Sequence, residues 1–132
     1  MGKALLTAMG ITREDKAGRD AWSLRGFRFF DAPAALLLFG EESFLDYSTF
    51  DFGCLAQNIC LAAYDMGLGT CVEYQACAYQ NILREELGIE EGWKCICGIA
   101  LGYEDPDFAA NRVRTDREAL ENNTQWFGFE TP

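Results

Sequence analysis

The sequence predicts a single mixed helix–strand domain, α/β or α+β, with a central sheet flanked by helices. Three observations carry that expectation. Segments of strand length stand at 34–39, 70–73 and 95–102, the first and last of them continuously apolar, a long and a short segment of helical period separate them, and each helical segment stops at a glycine, Gly67 or Gly88. Strand, helix, strand, helix, strand with crossover connections is the pattern that such sheets produce. A chain of 132 residues holds one core and is too short for two.

Residues 2–9 read as a short helix, with Leu5, Leu6 and Met9 at helical spacing and Gly10 as the stop. Residues 12–28 are charged and carry few apolar anchors besides Trp22 and Phe27, which predicts a loop with one helical turn. Phe29-Phe30-Asp31-Ala32-Pro33 then leads into the continuous run 34–39. That run suits a strand buried on both faces, although its Leu and Ala content leaves a helix open. The long helix is expected from somewhere in 48–51 to Gly67. Leu55, Ile59, Ala62, Ala63 and Met66 form its stripe, and Phe52, Cys60 and Leu61 make the opposite side apolar as well. A helix apolar nearly all round is buried in a core or in a subunit interface. Residues 70–73 form a short strand, a helix follows from near Ala78 to Leu87, and 95–102 is a second buried strand. From Tyr103 the pattern dissolves into a tail: a turn at 104–107, the densest basic stretch at 111–117, and Trp126-Phe127-Gly128-Phe129. Those rings need a surface to lie on, either the domain itself or a second subunit. The expected organisation is one domain over 1–132 whose extended tail is 104–132.

The formal charge of −10 and pI near 4.3 argue against nucleic acid and against an anionic membrane surface as partners. The acid is spread along the chain and reads as solubility. Neither a secretion signal nor a run long enough to span a bilayer is visible, so a cytoplasmic protein is expected, and the acceptor pattern Asn122-Asn123-Thr124 carries little weight. Six cysteines and no histidine are present. Without a C-x-x-C pair or histidine, a metal site is not expected, and the thiols read as reduced core residues. The missing histidine excludes Ser-His-Asp and Cys-His hydrolysis within this chain. A cofactor becomes the expected agent of any chemistry, and no catalytic side chain is assigned.

Four segments follow one another along the chain: Phe29-Phe30-Asp31-Ala32-Pro33; Gln57-Asn58 followed by Gly67-Leu68-Gly69-Thr70-Cys71; Cys97-Gly98-Ile99-Ala100-Leu101-Gly102-Tyr103; and the tail from Asn111 through Arg112, Arg114 and Arg117 to Trp126-Phe127-Gly128-Phe129. In that order and spacing they resemble the nitroreductase family, and the resemblance covers nearly the whole chain. It implies an α+β sheet flanked by helices and an obligate dimer whose tails embrace the partner. It also implies FMN at the dimer interface, reduced by NADH or NADPH and reoxidised by nitroaromatics, quinones or similar acceptors. The family's N-terminal helical portion, with its Arg-Arg-Ser-type grip on the flavin phosphate, has no counterpart here. The chain is therefore expected to be a short form, a fragment, or one piece of a split protein whose separate partner chain supplies that portion. Phe127 also stands where family tails often carry histidine.

A flavin needs orientation, a donor near its N5 and a counter-charge for its phosphate more than it needs reactive side chains. The resemblance places Glu73, Tyr74 and Gln75 against the flavin ring. It places Arg112 and Arg114 at the phosphate, where guanidinium forks bind oxygens in pairs. Arg117 is a weaker candidate, and Gln57 and Asn58 read as structural. Losing the N-terminal clamp weakens flavin binding by several decades unless a partner restores it. The alternative is a flavin-free remnant of the fold, acting as a dimerisation or assembly module.

Overall fold

The computed structural model describes residues 2–129. Its chain order is α1 (Gly2–Ala8), α2 (Lys16–Gly26), β1 (Ala34–Glu41), α3 (Leu45–Asp65), β2 (Gly69–Glu73), α4 (Gln80–Leu87), β3 (Trp93–Gly102) and α5 (Leu120–Asn123), with 3-10 turns at Phe29–Asp31, Glu42–Phe44, Gln75–Cys77 and Ala109–Arg112. The architecture is α+β: a three-stranded sheet of order β1-β3-β2 in which β3 is antiparallel to both neighbours. Because β1 and β2 both run against the central strand, α3 must carry the chain across β3 from one edge to the other. That crossover is the connection the strand–helix–strand pattern anticipates.

Register divides the sheet into two faces. Leu36 and Val72 both pair with Ile99, and Leu38 pairs with Cys97, so these side chains share the α3 face. There Ala56, Cys97 and Ile99 form the buried cluster, with Leu38, Ile59 and Cys60 packed around it. Ile99 is fully buried, a burial worth roughly 1.5–3 kcal/mol. Leu37, Gly98 and Glu73 form a row on the opposite face. The turns Phe29–Asp31 and Gln75–Cys77 close directly onto Gly98, where a Cβ would lie 2.7 Å from Ala76 Cβ and 3.0 Å from Phe29 Cε1. Only glycine lets both turns approach this closely. Between Leu38 and Phe39 the register slips, because Ile96 is an extra residue in β3.

Several expectations need correcting. Residues 16–26 form the eleven-residue helix α2 rather than a loop, started by Asp15, whose Oδ1 accepts from Gly18 N at 2.8 Å. The long helix begins at Leu45, before the expected 48–51. The helix expected from near Ala78 begins only at Gln80: the 3-10 turn Gln75–Cys77 stops before Ala78, Tyr79 has non-helical backbone (φ −121°, ψ 66°), and α4 ends at Gly88 in the left-handed conformation (φ 64°). β1 is not buried on both faces: Ala34, Ala35 and Leu36 are exposed. α3 is likewise uncovered on much of its surface, burying only Ala56 and Ala63. Of the six thiols, Cys95 and Cys97 are buried, whereas Cys54 and Cys71 are exposed. The tail expectation at 130–132 lies outside the described residues. Among the described residues no helix is long and apolar enough to cross a membrane.

Candidate functional site

The most unusual polar group sits at the end of β2. Glu73 pairs with Gly98 across the sheet and is only 5% exposed. Neither of its carboxylate oxygens has a hydrogen-bond partner among the described residues. A buried carboxylate without a partner is expensive to keep ionised, so desolvation pushes this carboxyl up to about 7. The group is thus poised between donor and acceptor near neutral pH. Immediately after it, Tyr74 is 77% exposed. Its carbonyl accepts from Cys77 N at 3.0 Å, closing the turn.

Gln75 faces inward instead. Its Nε2 donates to Ser23 O at 3.2 Å, which fastens the turn to α2. The same helix also holds the tail: Trp22 stacks on Phe108 (6.2 Å between ring centroids), and the Arg25 guanidinium lies 4.2 Å above the Phe108 ring. The helix expected to be a loop is therefore the element that relates the β2 end to the tail.

A strained turn sets the angle of α2 against the sheet. Phe29, Phe30 and Asp31 all have positive φ (53°, 53° and 63°), a conformation that costs L-residues roughly 1–2 kcal/mol each. Three contacts hold it. Phe29 lies over Gly98, and Phe30 packs on Trp22 at 5.3 Å. Asp31 lies 2.9 Å from Arg25 Nε and accepts from Arg28 Nε at 3.0 Å. The hydrogen bond from Arg28, helped by the charges of Arg28 and Arg25, holds the Asp31 carboxyl below the usual range. Ser23 and Arg25 were not singled out from sequence, and Trp22 and Asp31 were read only as an apolar anchor and as part of a motif. The Asp15–Gly18 cap was the readable signal for the helix that carries Trp22, Ser23 and Arg25.

The arginines of the tail turn back on their own loop. Arg112 donates to Pro106 O and Asp107 O at 3.2 Å each and pairs with the exposed Asp107 carboxylate at 3.3 Å. Arg114 Nη1 donates to Asn111 O at 2.7 Å, and Arg117 Nη1 to Thr115 Oγ1 at 2.9 Å. Helix α1 packs against the turn that carries Arg112. Two shallow depressions open on the described surface, one at residues 78–82 and one on α3 between Phe50, Gly53, Cys54, Gln57 and Asn58, and neither is lined by the Glu73–Gln75 segment or by the two guanidinium groups. Gln57 and Asn58 thus face an open surface.

Comparison with known proteins places these features in a family. The model described as "Nitroreductase family" matches residues 4–103. A 4-nitrobenzoate reductase of Pseudomonas putida is 32% identical over 120 residues, which is 91% of this chain and 53% of that protein. A chloronitrobenzene nitroreductase of Comamonas testosteroni is 37% identical over 118 residues, covering 89% and 52%. Among solved structures, the FMN and NADPH-dependent nitroreductase NfnB from Sphigopyxis sp. strain HMH superposes with TM-score 0.93 at 32% identity, covering 97% of this chain and 57% of that one. The FMN-dependent NfnB from Mycobacterium smegmatis, solved with NADPH, gives TM-score 0.90 at 31% identity, covering 96% and 56%. The chain spans about half the length of the curated relatives it matches.

Proposed function

The chain belongs to the nitroreductase family, and from that premise we propose that it is the flavin-binding part of an FMN-dependent oxidoreductase that passes electrons from NAD(P)H to a nitroaromatic, quinone or similar acceptor. The observation that carries the reading is the buried, unpartnered carboxyl of Glu73 beside the exposed Tyr74. Orphaned buried polar groups are rare in finished proteins, and each calls for a missing partner. A heteroaromatic ring with alternating donors and acceptors satisfies one. The residues fit the group. Glu73 and Tyr74 would hold its ring edge, and the backbone of Gln75 would adjoin it while the side chain stays on Ser23. Arg112 and Arg114 would supply the counter-charge to the phosphate. Their present partners are carbonyls and an exposed carboxylate, contacts that an arginine gives up at little cost. A bound flavin supplies the hydride acceptor and electron donor that no side chain here provides. The protein's part is to orient the ring through Glu73 and to hold a proton on that carboxyl near neutral pH.

We further propose a homodimer, or an equivalent partner chain, as the working form. Tyr47, Phe50, Leu61 and Tyr64 on α3 and Trp126, Phe127 and Phe129 in the tail are all more than half exposed. So much apolar surface on one chain marks an interface. A partner seated there would also complete a pocket that this chain alone leaves open, within one domain whose tail begins near Glu104. The flavin-free assembly module finds no support in these relatives. Visible spectroscopy of the purified protein during titration with FMN tests the proposal. Saturable binding with a shifted flavin spectrum is expected, and unbound flavin at millimolar concentration refutes it.

A further inference from the structure

Beyond the flavin reading, two cysteines stand in a built arrangement that electron transfer to an acceptor does not use. Cys77 closes the turn that follows Tyr74, and Cys95 is the third residue of the central strand β3. The Cys77 thiol donates to Cys95 Sγ at 3.4 Å, and Cys95 Sγ in turn donates to Cys97 O at 3.8 Å. Gln80 clamps the pair from the first turn of α4. Its Oε1 accepts from Cys95 N at 2.9 Å, while its Nε2 donates to Cys95 O at 2.9 Å and to Cys77 O at 3.0 Å. The two backbones are thus held in a fixed relation by one side chain, and the sulfurs face each other without an intervening group. Cys77 is half-buried and reachable from solvent, whereas Cys95 is 2% exposed. That asymmetry separates a reacting thiol from a resolving one.

We propose that Cys77 and Cys95 form an oxidisable dithiol, converted by hydrogen peroxide or an organic hydroperoxide into an intramolecular disulfide that fastens the Gln75–Cys77 turn to β3. In the first step the Cys77 thiolate attacks a peroxide oxygen, the O–O bond breaks, and a sulfenic acid forms while the departing oxygen leaves as water or alcohol. In the second, Cys95 Sγ attacks the sulfenic sulfur, the S–S bond forms, the S–O bond breaks, and hydroxide leaves with the Cys95 proton as water. Two thiols lose two electrons and two protons, and one peroxide is reduced. Burial, which pushes the Cys95 thiol up to about 12, keeps it protonated until that second step. The disulfide closes a loop across 18 positions and removes the freedom of the turn adjoining Glu73 and Tyr74.

The test uses the reduced 132-residue chain, titrated with hydrogen peroxide, alkylated, and mapped by non-reducing peptide mass spectrometry. The expected product is lighter by two hydrogens, carries a cross-linked peptide pair containing Cys77 and Cys95, and reverts with dithiothreitol. Amides in the Gln75–Cys77 turn should exchange more slowly after oxidation. Cys77→Ser and, separately, Cys95→Ala should each abolish the cross-link, and Cys54→Ser should leave it intact. A product in which Cys77 proceeds to sulfinic acid with Cys95 still alkylatable overturns the proposal, as does a cross-link that persists in either variant. None of these readouts requires flavin, so failure here leaves the flavin reading untouched.

Discussion

Replacing Glu73 with Gln separates the charge of that site from its shape. The amide has nearly the same volume but cannot ionise. In the folded chain the carboxyl titrates at about 7, against 4.5 when solvated. Between those values the unfolded chain has released its proton while the folded chain still holds it. Unfolding therefore releases a proton, and stability falls as pH rises through this window. The contribution is whole below pH 4.5 and gone above about 7. With each pKa unit equivalent to about 1.4 kcal/mol, the native protein should lose roughly 3 kcal/mol relative to Glu73→Gln between pH 4.5 and about pH 8. At a typical urea slope for a small domain, that is a shift of about 2 M in the difference between midpoints. Urea unfolding of both proteins, flavin-free and at several pH values, measures it. A midpoint difference that stays constant across the range would show that Glu73 is solvated or paired, and the argument for an orphaned carboxyl would collapse.

Four further outcomes follow from the geometry. Gly98→Ala should destabilise the fold by about 1–3 kcal/mol in thermal or chemical unfolding, because the new methyl meets Ala76 and Phe29 where the turns close on β3. Gln80→Leu should cost roughly 2–4 kcal/mol by the same assays, since it removes three hydrogen bonds and leaves Cys95 N–H buried without an acceptor. Arg112→Ala and Arg114→Ala should each lower FMN affinity by about 10-fold to 100-fold, with stability unchanged within about half a kcal/mol, when followed by flavin titration and by melting. Gly88→Ala should lower stability by about 1 kcal/mol, as its left-handed φ of 64° ends α4.

The order of strands and helices was legible because β1 and most of β3 are continuous apolar runs, the short β2 follows directly on the glycine stop of α3, and α3 carries a long helical period. Helix α2 was not, because its only large apolar residues are Trp22 and the exposed Leu24, and the others are small or charged. Its stability comes from contacts remote in sequence, Ser23 with Gln75 and Trp22 with Phe108. Burial was overestimated for a physical reason as well. Leu36, Leu55 and Leu61 are apolar yet exposed in this chain, and an apolar pattern by itself does not say what covers a residue. The candidate site was named from sequence without its geometry. Motif order pointed to Glu73 and the arginines, but residue identity cannot show that Glu73 lacks a partner, that Gln75 is committed to α2, or that Arg112 folds back onto Asp107.

FMN titration monitored by absorbance and by quenching of flavin fluorescence tests the flavin assignment most directly. Saturable uptake by the native chain, weakened in Glu73→Gln and in Arg112→Ala, is the expected result. Flavin that stays fully fluorescent and unshifted at millimolar concentration, over folded protein, would contradict it.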